Sequence, residues 1–250
     1  MLRHRLLFLV CLCSTLLASG SIALEPPLPL TRLAGETLEF RVRWGVIPAA
    51  RAYLEVHDQG GGKLLFRARA ETLPVVRTIY PVKELIESLV TLPGPQVTRY
   101  YKKAKEGWGA KLREEEIVFD HQAGVANARK NGKPREPLKV PADVQDPLSC
   151  FFAYRAMTVG DAPVEMEITD GKKLISGTIA VLGRETVEVP AGTFKTVIIE
   201  PKIEGIGGIF KKSPGARILI WLTDDQWRRP VKFQSKVIVG HFTVELAKIN

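Results

Sequence analysis

Apolar and polar residues alternate along most of this chain, the signature of half-buried strands. Thr37–Trp44 puts Leu38, Phe40, Val42 and Trp44 on one face and Glu39, Arg41 and Arg43 on the other. Alternation or short apolar runs bounded by turn residues predict further strands at 50–56, 63–72, 97–105, 112–119, 124–129, 164–169, 173–182, 184–189, 193–202, 216–223, 230–239 and 241–249. Two stretches switch to helical spacing. One is 82–90, with Pro81 near its first turn and Pro93 and Gly94 after it. The other is about 147–157, with Asp146 as a candidate N-cap. The strands lack the rhythm of strand–helix–strand units, so the sheet is antiparallel. About a dozen strands cannot be covered from outside by two short helices. The expected fold is mainly β: an antiparallel sheet curled into a half-barrel or barrel, with both helices on its concave side.

The first residues do not belong to this pattern. Arg3 and Arg5 precede twelve apolar residues, and Ser21 and Ala23 have the spacing of a signal-peptidase site. The expected organisation is a signal peptide at 1–23, an extended Pro-rich leader at 24–33 and one antiparallel β domain at 34–250. An apolar run of twelve is too short to span a bilayer. The signal would take two of the 36 basic residues and none of the 27 acids, leaving a mature excess of seven positive charges. That fits a periplasmic protein with peripheral attraction to anionic surfaces; an exported chain has no nucleic-acid partner to meet. Cys11 and Cys13 lie in the signal without the small residue that precedes a lipidated cysteine. Cys150 remains alone in an apolar helical segment, which excludes an internal disulfide and suits a buried thiol.

Three stretches carry a family resemblance: Val189-Pro-Ala-Gly-Thr-Phe-Lys-Thr196, Gly205-Ile-Gly-Gly-Ile-Phe-Lys211 and Ile220-Trp-Leu-Thr-Asp-Asp-Gln-Trp-Arg-Arg-Pro-Val-Lys232. With the Phe40–Trp44 strand and the Leu85–Leu89 segment, their order resembles the bacterial domain-of-unknown-function 3108 family of exported proteins, over about residues 34–249. The resemblance implies an envelope protein of Gram-negative bacteria and brings no activity and no catalytic residues.

The residues themselves offer no catalytic constellation. Histidines 57, 121 and 241 are scattered, no metal-binding spacing occurs, and neither a nucleophile elbow nor a phosphate loop is present. No metal and no cofactor is implied. Asp224 and Asp225 form the one tempting acidic pair, but they sit between two strands where a turn explains them. A glycan hydrolase would need one of them in a cleft facing another carboxylate. Pro190-Ala-Gly-Thr193 likewise reads as a hairpin turn.

Two features go beyond turn chemistry. Arg99, Tyr101, Lys103 and Lys105 share one strand face, a basic and aromatic stripe that meets lipid phosphates or acidic glycans, or pairs with Glu114–Glu116 across a hairpin. The segment 205–215 joins two strands with four glycines, two lysines and three bulky apolar residues, the composition of a lid or an interaction loop. The leading expectation is a non-enzymatic periplasmic binding protein. It would hold a lipid or lipoprotein acyl chain against Trp44, Leu85, Leu89, Phe151, Phe152 and Trp221, with Ile209 and Phe210 in the lid. The alternative is an envelope scaffold with a filled core that binds a protein partner through the 205–215 loop.

Overall fold

The computed structural model describes residues 28–157, 160–202, 217–236 and 241–250. The first seven strands are β1 (Thr37–Trp44), β2 (Ile47–Gly60), β3 (Lys63–Thr72), β4 (Val82–Thr91), β5 (Gln96–Glu106), β6 (Arg113–Asp120) and β7 (Val125–Lys130). Two short pieces follow, β8 (Lys133–Pro134) and β9 (Leu138–Lys139). The second arm comprises β10 (Val164–Thr169), β11 (Leu174–Val189), β12 (Gly192–Lys202), β13 (Ile218–Thr223), β14 (Pro230–Lys236) and β15 (His241–Ile249). The helices are α1 (Pro74–Arg77), between β3 and β4, and α2 (Ser149–Ala156), between the arms. All strands belong to one antiparallel sheet ordered β10-β11-β12-β13-β14-β15-β1-β2-β3-β4-β5-β6-β7-β8, with β9 beside β7. The last long strand therefore pairs with the first and joins the two arms.

The sheet curls into a spiral rather than a closed barrel. A Cβ added to Gly171, in the β10–β11 turn, would lie 2.7 Å from the Ala128 Cβ and 2.9 Å from Ile117. Ile117 and Ala128 are opposite each other on the buried face of β6 and β7. The β10 end thus lies inside the far end of the same sheet. Its free edge is taken up by Gln145, whose N–H donates to the Glu167 carbonyl (2.8 Å) and whose carbonyl accepts from Thr169 (2.9 Å).

Two elements differ from the sequence expectation. The stretch 82–90 is strand β4, not a helix. Leu85 and Leu89 lie on the outward face, Leu85 opposite Arg69 and Lys103, Leu89 opposite Leu65 and Arg99. Both are half-buried there. A strand with apolar residues on both faces imitates helical spacing. One helix, not two, therefore occupies the concave side: α1 is a single turn with no buried residue. The leader is also shorter than expected. Leu28, Leu30 and Leu33 are buried, and Leu30–Leu33 forms a 3-10 turn in the core.

Candidate functional site

The concave side is where a ligand would lie, and one lateral row of the sheet shows how it is used. Val56, Phe66, Ser88, Tyr100, Ile117 and Ala128 are cross-strand neighbours over β2 to β7, and all six are buried. Phe152 of α2 stacks on Phe66 with ring centroids 3.9 Å apart and planes at 8°. Phe151 packs edge-on against Phe152 and near Phe233, and Phe233 meets Phe40. The other side of α2 contributes Cys150, Ala153 and Tyr154 to a second cluster with Met166, Ile168, Ile179, Val197, Ile199, Ile220 and Leu222. Burying each such side chain is worth about 1.5–3 kcal/mol, so the helix is held in place as core.

Both ends of α2 are fixed by buried polar groups. At its start, the Asp146 carboxylate accepts hydrogen bonds from the backbone N–H of Leu148 (2.7 Å) and Ser149 (2.8 Å) and from the Ser88 hydroxyl of β4. Asp146 does the work of an N-cap, as its position in the sequence suggests. No cation among the described residues pairs with it. Burial pushes its pKa up to about 6, against the hydrogen bonds, which favour the ionised form. Burial and then the neighbouring Asp146 charge push the Cys150 thiol up to about 12, which leaves it unreactive.

At the other end Arg155 has no exposed surface. Its guanidinium donates to both Glu36 oxygens (2.8 and 3.0 Å) and to the Trp227 carbonyl, and it lies 5.4 Å from the Phe152 ring centre. Arg229 reaches the same carboxylate at 3.0 Å, and Arg32 and Arg229 both lie over the Trp227 ring. Sequence reasoning missed this network: Arg155 and Glu36 are 119 residues apart, and a lone cation in the last turn of a helix ordinarily points to solvent.

The proposed cavity residues that are described do not converge. Trp44 is 41% exposed and stacks on Phe242 at the end of β1. Leu85 and Leu89 are on the outward face, because β4 is a strand. Phe151 and Phe152 are core. Trp221 is buried, with its indole N–H donating to Glu185 (2.6 Å) and Lys232 over its ring. Ile209 and Phe210, with the whole 205–215 loop, lie outside the described residues. An apolar cleft does exist at the surface: about 300 Å³ between Leu28–Leu30, Pro93, Pro95, the C-terminal half of α2 at Ala153 and Ala156, and Met157 just after it.

In the basic stripe, the alternation places all four side chains on the outward face of β5. Arg99 pairs with Glu116 (2.7 Å) and lies over the Tyr101 ring. Lys103 pairs with Glu114 (3.1 Å), which also accepts from the Tyr101 hydroxyl. Of the four, Lys105 alone holds no carboxylate among the described residues. The acidic pair is turn chemistry: Asp225 accepts from the Thr223 hydroxyl and the Trp227 and Arg228 N–H groups, while Asp224 faces Arg184 at 3.4 Å. Among the described residues no three His, Cys, Asp or Glu side chains come together, and no described helix is long and apolar enough to cross a membrane.

The arrangement defines a class: a spiral antiparallel β protein whose concave side carries its own helix. The chain belongs to the family described as a protein of unknown function, DUF3108, which it matches over residues 39–247. Among solved structures it resembles a beta-barrel-like protein of the domain of unknown function DUF1849 from Brucella abortus, at 11% identity and a TM-score of 0.60 over 87% of this chain and 98% of that one. At this identity the likeness is one of fold. Two looser superpositions carry no argument. One is on a protein of Bacteroides fragilis provisionally described as exported, with a YmcC-like fold (10% identity, TM-score 0.37, 90% of this chain and 97% of that one). The other is on a Parabacteroides distasonis protein provisionally described as a lipoprotein (11%, 0.33, 90% and 97%). No curated protein is similar enough in sequence to count as a relative.

Proposed function

We propose that this chain is an exported, non-catalytic binding protein of the cell envelope that acts as a scaffold and meets its partner from outside. The observation that carries this reading is the stacking of Phe152 on Phe66, which puts the protein's own helix where a carrier would hold its ligand. The pattern of residues 1–23 supports release into the periplasm. Native mass spectrometry of the protein recovered from a periplasm, followed by solvent extraction, tests it. The expected result is a bare polypeptide mass. A lipid retained at one per chain overturns the scaffold reading.

A second reading keeps an apolar ligand but moves it. The cleft at Leu28, Pro93, Pro95, Ala156 and Met157 is at the lower limit of ligand-pocket volumes, and an acyl chain would lie along it. Under that reading a retained lipid is lost on Ala156→Phe, which fills the cleft.

A further inference from the structure

Three successive connections lie at one end of the sheet: the β1–β2 turn, the β3–β4 connection with α1, and the β5–β6 turn. They are tied to one another. The Leu73 N–H donates to the Ala49 carbonyl (2.9 Å), the Gly107 N–H to Pro81 (2.7 Å), and the Trp108 indole to the Ile79 carbonyl (3.1 Å). Turns usually carry Gly, Pro, Asn, Asp or Ser at their tips. These carry Val46 (82% exposed), Val75 (79%), Ile79 (73%) and Trp108 (68%), with Ile47 and Tyr80 also exposed. Large apolar side chains grouped on a rim mark a contact surface.

The charge behind the rim says what it contacts. On the outward face Arg41, Arg51, Glu71, Lys83 and Lys105 form one lateral row, each opposite the next across β1 to β5. The acids nearest the row are paired elsewhere, Glu71 with Arg77 and Glu245 with Arg43, and at the rim Glu84 pairs with Lys102 and Glu106 with Arg113. Arg41, Arg51, Lys83 and Lys105 are exposed and hold no ion pair among the described residues. Arg41 faces Arg51, and Lys83 faces Lys105, like-charge pairs that repel; Glu245 beyond Arg41 is engaged by Arg43, and Glu71 between Arg51 and Lys83 is engaged by Arg77, so an external anion would relieve both pairs. The row lies three to five residues back from the tips, about 10–17 Å at the strand rise per residue. Apolar and aromatic tips ahead of an unpaired cationic belt match a bilayer surface, where Trp and Tyr settle at headgroup level and cations meet phosphate.

We propose that this rim docks the protein on an anionic lipid bilayer, with the turns bearing Val46, Val75, Ile79 and Trp108 in the interface and Arg41, Arg51, Lys83 and Lys105 on the headgroup phosphates. The proposal rests on the reading that recognition is external. Co-sedimentation of the mature protein with vesicles of phosphatidylethanolamine and phosphatidylglycerol, and with phosphatidylcholine alone, tests it. Binding is expected only to the anionic vesicles and weakens with salt. Lys83→Gln with Lys105→Gln lowers partitioning about thirty-fold at roughly fivefold per cation. Trp108→Ala lowers it further, and thermal melts confirm that both variants remain folded. Absent or salt-independent binding overturns the proposal, as does a dimer that Trp108→Ala dissociates, which would assign the rim to a second copy of the chain. Such a failure leaves the filled-core reading standing; only a lipid extracted from vesicle-free protein touches that reading.

Discussion

The two ends of α2 bury opposite charges in different ways. Asp146 at the start is held by neutral donors alone, whereas Arg155 at the end is held by a carboxylate that a second arginine shares. Both signs suit the helix dipole, the acid at the positive end and the cation at the negative end. Hydrogen bonds without a counter-charge do not offset desolvation, so the carboxyl of Asp146 binds its proton far more tightly than usual. The Arg155–Glu36 pair keeps both charges together. Removing one partner then strands the other in the core, which is where such pairs become costly.

The largest expected effect follows from that asymmetry. Arg155→Ala should lower unfolding stability by about 3–5 kcal/mol in urea titrations. A loss below about 1 kcal/mol would mean that Arg229 alone can hold Glu36. The next concerns pH. The folded-state pKa of Asp146, about 6, lies above its ordinary 3.8. The folded state therefore binds the proton more tightly, and the stability this site contributes is fully present below about pH 4 and lost as pH rises through 6. The difference is on the order of 3 kcal/mol. It is isolated by comparing the wild type with Asp146→Asn, which keeps a side-chain oxygen to accept from the Leu148 and Ser149 N–H groups and cannot ionise. Equal pH slopes in the two proteins would show that Asp146 is not perturbed.

Smaller effects sharpen the same contrast. Ser88→Ala removes a donor to Asp146 and should cost about 1–3 kcal/mol, more at pH 7 than at pH 4, because the hydroxyl favours the ionised form. Smallest of all, Cys150 should react with a thiol reagent at neutral pH only as fast as the protein unfolds. Rapid labelling under native conditions would show that the α2 start is open.

Period-2 alternation was enough to read most of the sheet, because one buried face forces it. Val82–Thr91 imitates a helix for a physical reason: Leu85 and Leu89 on its outward face and Ile86 and Val90 on its inward face put apolar residues on both sides and erase the period. Asp146 was legible because a cap acts on residues two and three positions away. Arg155 was not, since its partner is remote in sequence and only the spiral brings Glu36 to it. Leu28, Leu30 and Leu33 were hidden by the prolines around them, which suggested an extended tether. The rim was legible in principle: Val46, Val75 and Trp108 occupy turns where polar residues are the rule.

The pairing of β1 with β15 also sets a clock. Synthesis proceeds from the N-terminus, so β1 to β7 can form their hairpins early, each from neighbours in sequence. The other edge of β1 must wait for residues 241–249. Until those last residues arrive, an unpaired strand edge stands open to any other chain. A chain cut short before residue 241 would keep that edge exposed permanently and would be expected to aggregate.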